Sequence, residues 1–202
     1  MMSFNNKPNK FHKDKEGKPF WESRSVAVEV SVFAIHNKQV YILVEKRSSI
    51  MMDGPNLWAL PSGYMDYDET GWDAARRELY EETSLDIDRY DKICITNNNK
   101  QPFEVITDPK HNRQNIVLEY CIVLNFNKSQ EKFPIELEQY KNRETAQIKW
   151  LMPNRLTQVN WAFNHDERIK NALVIFKKYI YPSFWRKCWN LLTKFYQILI
   201  FS

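Results

Sequence analysis

The stretch GYMDYDETGWDAARRELYEET, Gly63 to Thr83, decides how the rest of the chain is read. Thr70 can cap a helix there, with Asp73 three residues on in the spacing of a capping box, and the helix should run to about Thr83. At about 100° per residue, with Glu78 at zero, Glu82 lies near +40° and Glu81 near −60°, so three carboxylates share one face. Trp72, Ala75 and Leu79 fall between about +60° and +120°, so a buried stripe runs beside the acidic one.

An acidic helix face is usually a solvated surface laced with i,i+4 salt bridges. Here the partners four residues ahead are wrong: Glu78 meets Glu82, Glu81 meets Leu85, and Glu82 meets Asp86. Only Arg77, four before Glu81, offers a cation. Like charges at this spacing cost a few tenths of a kcal/mol even when exposed. The clustering therefore points to a bound cation, and hard oxygens select Mg²⁺ or Mn²⁺ over zinc or copper.

Gly63, Glu69 and the run Arg77-Glu78-Leu79-Tyr80-Glu81-Glu82-Thr83-Ser84-Leu85 together resemble the Nudix box, G-x5-E-x7-R-E-U-x-E-E-x-G-U, where U is a bulky aliphatic residue. The one departure is Ser84, where the family has glycine. Glycine suits the left-handed residue that ends a helix, and serine there should cost about 1 kcal/mol or shift the turn. The preceding LWALPSGYMDYDET also resembles the family's approach to the box, with Ser62 where a glycine is common.

The resemblance implies a Nudix pyrophosphohydrolase, an enzyme that cleaves a phosphoanhydride in a nucleoside diphosphate linked to another group. ADP-ribose-like or other small nucleotides are the favoured substrates, and Mg²⁺ or Mn²⁺ the cofactor. It implies Gly63, through its carbonyl, with Glu78, Glu81 and Glu82 as metal ligands. Glu81 can also accept a proton from the attacking water, and Arg77 positions a helix carboxylate. Some family members draw the general base from a later loop. Glu144 in NRETAQIKW is the candidate for that role, with an ordinary surface glutamate as the alternative. Arg47, ending a strand, and Glu69, in the loop before the helix, are the substrate-side candidates; a sheet-edge cap and a solvated loop acid are their alternatives. His165, in the first turn of a later helix, is read as structural and left outside the site.

Working outward, SVAVEVSVFAI (Ser25 to Ile35) and QVYILVEKR (Gln39 to Arg47) are strand candidates joined by HNK, a hairpin signal. NLWALPS is a short extended segment, and QNIVLEYCIVLNF and AQIKWLM are further strands. Asn164 and Glu167 repeat the capping-box spacing ahead of RIKNALVIFKKYI, a second helix. This is an α/β pattern, and with the resemblance it predicts a Nudix-type α/β/α sandwich with a mixed sheet over residues 25–181.

Residues 1–24 are polar, without an apolar run of signal-peptide type, and read as a mobile basic arm. They carry a charge of +3, as do residues 184–202, against a total of +4, so the body between them is at −2. That is a poor match to a nucleic-acid-binding face. Cys94, Cys121 and Cys188 form no C-x-x-C pair and indicate neither disulfides nor zinc, so a cytoplasmic compartment is expected. Residues 182–202 pattern as an amphipathic basic helix, too interrupted by Arg186, Lys187 and Lys194 to span a bilayer. Peripheral membrane contact, or packing on its own domain or a second subunit, are its expected uses. Two rival functions stay open: a non-catalytic nucleotide-sensing regulator, and an RNA-end (decapping) pyrophosphohydrolase.

Overall fold

The computed structural model describes residues 9–90, 92–94, 100–108, 115–126, 132–134 and 143–180. The expected helix over 182–202 lies outside these residues. In chain order the strands are β1 (Lys10–Lys13), β2 (Pro19–Glu22), β3 (Val26–His36), β4 (Gln39–Arg47), β5 (Trp58–Ala59), β6 (Ser62–Tyr64), β7 (Lys92–Cys94), β8 (Glu104–Ile106), β9 (Ile116–Asn125) and β10 (Thr145–Leu151). Two α-helices are described, α1 (Gly71–Thr83) and α2 (His165–Ile180).

Alternating Val, Ile and Phe make β3 the centre of the main sheet, where both faces are covered. Asn37 and Lys38 turn into β4 with φ of 48° and 63°, the paired left-handed residues that a two-residue hairpin turn needs. The spine runs β10-β4-β3-β9-β7, with β5, β6 and β8 paired onto β4, β3 and β9. β9 lies parallel to β3 along its length, and the other pairings are antiparallel, so the sheet is mixed.

The two faces bury different sets. Val28, Val30 and Val32 of β3 and Ile122 and Leu124 of β9 pack with Trp72, Ala75 and Leu79 of α1. Phe33, Val123 and Leu151 pack with Ile169, Ala172 and Phe176 of α2. Period two along each strand sends neighbouring residues to opposite layers, and the sandwich of helix, sheet and helix follows.

Thr70 caps α1 as its sequence predicts, its Oγ1 accepting the Asp73 N–H at 3.2 Å. α2 begins differently. Asn164 stands at φ 61°, and its backbone carbonyl accepts the Glu167 N–H at 3.0 Å, so the main chain closes the first turn. The segment read as an arm contains a hairpin, β1 paired with β2. Its turn is closed by Asp14, whose Oδ1 accepts the N–H groups of Glu16 and Lys18 at 2.9 and 2.8 Å, and by main-chain bonds between Asp14 and Lys18 and between Gly17 and Asp14, each 3.0 Å. Among the described residues no helix is long and apolar enough to cross a membrane.

Candidate functional site

α1 carries its acids where the helix field opposes them. Glu81 and Glu82 fall in its last turn, which holds no basic residue, although the partial negative charge of a helix C-terminus favours cations there. Ser84 then ends the helix in the left-handed region at φ 57°, its N–H donating to the Tyr80 carbonyl at 2.8 Å. Serine thus holds a left-handed conformation that glycine adopts without strain.

Strand β6 passes directly over this acidic turn. A Cβ built on Gly63 would overlap the Glu78 carboxyl group, so the two can lie together only because position 63 has no side chain. One residue earlier, the Ser62 N–H donates to Glu82 Oε2 at 2.8 Å. Gly63, Glu78, Glu81, Glu82 and Glu144 line one cleft of about 580 Å³, with Arg77 and Arg143. Five of the site residues expected from sequence therefore come together.

Burial governs their electrostatics. Glu82 is 4 % exposed, and its carboxyl is held well above the usual range, first by burial and then by the charges of Glu45, Glu78 and Glu144. Glu78 is raised too, mainly by burial, against the pull of Arg77. Glu45, buried on β4, accepts the Thr145 hydroxyl at 2.5 Å and is raised by burial, with Arg47 pulling it down and Glu144 and Glu78 pushing it up. Sequence reading passed over Glu45, although a carboxylate within the apolar run VYILVEKR is a signal that could have marked it.

Arg77 spans the rim. Its Nη1 donates to Glu78 Oε1 at 2.7 Å and to Glu81 Oε2 at 3.2 Å, and its Nη2 donates to the Tyr64 carbonyl at 2.9 Å. Glu69 grips the same guanidinium from behind, Oε1 receiving Nη2 at 2.6 Å and Oε2 receiving Nε at 3.1 Å. Oε1 also accepts the Asp66 N–H at 2.7 Å. The Arg77 hydrogen bonds hold the Glu69 carboxyl below its usual range. Glu69 therefore sits behind Arg77, and it is not among the residues lining the cleft.

The donors present suit a hard divalent cation: all are oxygens, two of the carboxylates are buried, and the repulsion between Glu45 and Glu82 is what a cation relieves. Among the described residues no three carboxyl, imidazole or thiol groups already converge as a chelate. Arg77 Nη1 stands between Glu78 and Glu81 and donates to both.

A second cavity, also about 580 Å³, shares Ser62, Gly63, Tyr64, Arg143 and Glu144 with the cleft. Arg47 lines it; its Nε donates to the Asp53 carbonyl at 3.0 Å, and its guanidinium lies 5.0 Å from the Phe163 ring centre. His165 lines it as well, buried, its Nδ1 accepting the Leu60 N–H at 2.8 Å. Burial and the charges of Arg168 and Arg47 press that imidazole down to about 3, so it is neutral and ties α2 to the segment leading into β6. Glu29 and Arg168, which sequence reading did not single out, complete the inner wall.

The NUDIX domain family matches residues 26–172 of this chain. The m7GpppN-mRNA hydrolase NUDT17 of Danio rerio is 39% identical over 72 residues, 36% of this chain and 23% of that protein. An RNA pyrophosphohydrolase of Bradyrhizobium sp. (strain ORS 278) is 37% identical over 54 residues, 26% of this chain and 32% of that protein. The matches thus span a third or less of the curated relatives. Among solved structures, the NUDIX domain of Shewanella oneidensis NrtR, complexed with ADP ribose, has a TM-score of 0.56 at 19% identity, covering 75% of this chain and 87% of that one. A C. elegans Ap4A hydrolase in a binary complex has a TM-score of 0.55 at 17% identity, covering 77% and 97%.

Proposed function

The chain belongs to the Nudix family, and from that premise we propose that it is a pyrophosphohydrolase dependent on Mg²⁺ or Mn²⁺, cleaving a phosphoanhydride in a nucleoside diphosphate linked to another group. The observation that carries this reading is the convergence of Glu78, Glu81, Glu82, Gly63 and Glu144 on one cleft. A divalent ion bound there neutralises the diphosphate and lowers the pKa of a water.

In this reading Glu78, Glu81 and Glu82 present the oxygens that hold the ion, with the Gly63 carbonyl beside them. Ser62 orients Glu82 through its amide. Glu81 and Glu144, at the rim, are the groups that accept the proton of the attacking water. Glu144 lines both the cleft and the adjoining cavity, which suits a base that approaches from the substrate side. Glu69 serves as a positioning residue that fixes Arg77, and Arg77 fixes Glu78 and Glu81. Arg47 faces the cavity in which the group beyond the diphosphate would lie.

Small nucleotides are the favoured substrates: the second cavity, about 580 Å³, is of ligand size, and the body of the chain is slightly acidic. An RNA 5′ end is a second reading, favoured by the names of the two sequence relatives, an mRNA hydrolase and an RNA pyrophosphohydrolase. The test is a panel of ADP-ribose, NADH, nucleotide sugars, dinucleoside polyphosphates, nucleoside triphosphates and capped RNA, each with Mg²⁺ and with Mn²⁺. Metal-dependent release of a mononucleotide from a small member supports the first reading, and exclusive turnover of capped RNA supports the second. No turnover of any member contradicts both and favours the nucleotide-sensing regulator.

A further inference from the structure

The second cavity contains a feature that phosphoanhydride cleavage does not use. Glu29 of β3 stands in register opposite Glu119 of β9, and Glu104 of β8 stands opposite Glu119 on its other side. Side chains at opposed positions on neighbouring strands are close, and like charges there are destabilising. Arg168 of α2 reaches into this row, its Nη1 donating to Glu119 Oε1 at 2.7 Å and lying 3.4 Å from Glu29 Oε2. His165 Nε2 lies 3.3 Å from the same Glu29 oxygen. Because His165 Nδ1 is occupied by the Leu60 N–H, the neutral ring carries its proton on Nε2 and directs it at Oε2. Both donors therefore address Glu29 through one oxygen.

The other oxygen, Oε1, is buried with no hydrogen-bond partner, on a residue that is 4 % exposed and lines the cavity. A buried polar atom left unpaired costs about 1–3 kcal/mol, so the position calls for an occupant that pairs with it. Oε1 keeps an accepting lone pair whether or not the carboxyl is protonated. An occupant that donates therefore pairs with it in either state.

We propose that Glu29 is a specificity-determining residue whose free oxygen receives a hydrogen-bond-donating group of the nucleoside, an exocyclic amine or a ribose hydroxyl. The inference rests on the hydrolase reading above, because a diphosphate in the acidic cleft places the next part of the molecule in the cavity that shares its Ser62–Tyr64 wall. A site built to pair with a donor rejects the analogue that lacks it, because the protein group is then left unpaired. Loss of one hydrogen bond to a carboxylate corresponds to about 10- to 100-fold in affinity.

Calorimetry with Mg²⁺ present measures binding of the four common nucleoside 5′-monophosphates to the full-length wild-type protein. The best binder is then compared with forms lacking the 2′-hydroxyl, the 3′-hydroxyl or the exocyclic amine. One deletion should weaken binding about 10- to 100-fold. In Glu29→Gln, the amide oxygen turns to the His165 and Arg168 donors and its NH₂, which cannot accept, faces the cavity. The ratio between parent and deleted form should fall to about one, a change that a merely structural role for Glu29 would not produce. No binding of any monophosphate, equal binding of all forms by the wild type, or an unchanged ratio in a folded variant overturns the proposal. The wild-type comparison decides alone if the variant does not fold. Hydrolysis is scored separately on the same preparation: selectivity without turnover sinks the reaction, and turnover without selectivity sinks only the role of Glu29.

Discussion

Gly63 and Glu78 occupy space that admits only one side chain: a Cβ on the strand residue would overlap the carboxyl of the helix residue. In Gly63→Ala the methyl group must displace Glu78 from the cleft. Displacement of a reacting group by about 1 Å can cost about 100-fold in rate. We expect kcat to fall by that order while the far-UV circular dichroism spectrum stays that of the wild type. A variant that keeps wild-type kcat would show that Glu78 does not need this placement.

Ser84 gives a prediction of opposite sign. It holds φ at 57°, where a side chain is strained and glycine is not, so Ser84→Gly should stabilise the fold by about 1 kcal/mol. Urea unfolding measures the gain. Hydrolysis should be unchanged within twofold, since every carboxylate of the cleft precedes this residue or lies on another element.

Glu69 and Arg77 should behave as one unit. If Glu69 acts by holding Arg77, Glu69→Gln lowers kcat and leaves KM near its wild-type value, and adding it to Arg77→Ala costs little more. A double-mutant cycle reads the coupling. A raised KM in Glu69→Gln, additive with Arg77→Ala, would return Glu69 to the substrate-side role expected from its sequence position.

The pH dependence of stability tests the buried row. Burial, opposed by Arg168 and assisted by Glu119 and Glu104, raises the Glu29 carboxyl from 4.5 to about 8. Between those values the folded state binds more protons than the unfolded state, so the contribution of Glu29 is present below 4.5 and lost as pH rises to about 8. His165 works in the opposite direction, from 6.5 unfolded to about 3 folded, and its unfolded-state titration around 6.5 is common to wild type and the Glu29 variant. Over pH 6.5 to 8, Glu29→Gln should therefore lose less stability than wild type, by up to about 1.4 kcal/mol per pH unit. Urea midpoints across that window check it, and parallel slopes would mean that Glu29 is not protonated there.

Much of this was legible in the sequence because it is local. The Asn37-Lys38 turn, the Thr70 cap and the shared face of Glu78, Glu81 and Glu82 each depend on residues a few positions apart, where spacing fixes geometry. What the sequence did not carry depends on register between distant strands. Glu29 and Glu119 are ninety positions apart and become neighbours only once β9 pairs in parallel with β3. Glu45 acts on Glu82 and Glu78 through its charge only once β4 is paired into the sheet. Both are single carboxylates set in apolar strands, a cue to burial with a partner, yet the partner cannot be named until the sheet is assembled. The β1–β2 hairpin was hidden for a different reason: its four-residue strands, KFHK and PFWE, are too short to show an alternating apolar pattern.

The most direct test of metal-dependent catalysis at the helix face is Glu82→Gln, which keeps the size of the side chain and removes its charge. Mn²⁺ binding is followed by calorimetry and hydrolysis by product release from the best substrate of the panel, with the thermal midpoint recorded to confirm folding. The expected result is loss of the tightest Mn²⁺ site together with a fall in kcat of about 100-fold or more. A folded Glu82→Gln protein that binds Mn²⁺ and turns over substrate as the wild type does would contradict the assignment of Glu78, Glu81 and Glu82 as the metal-holding face.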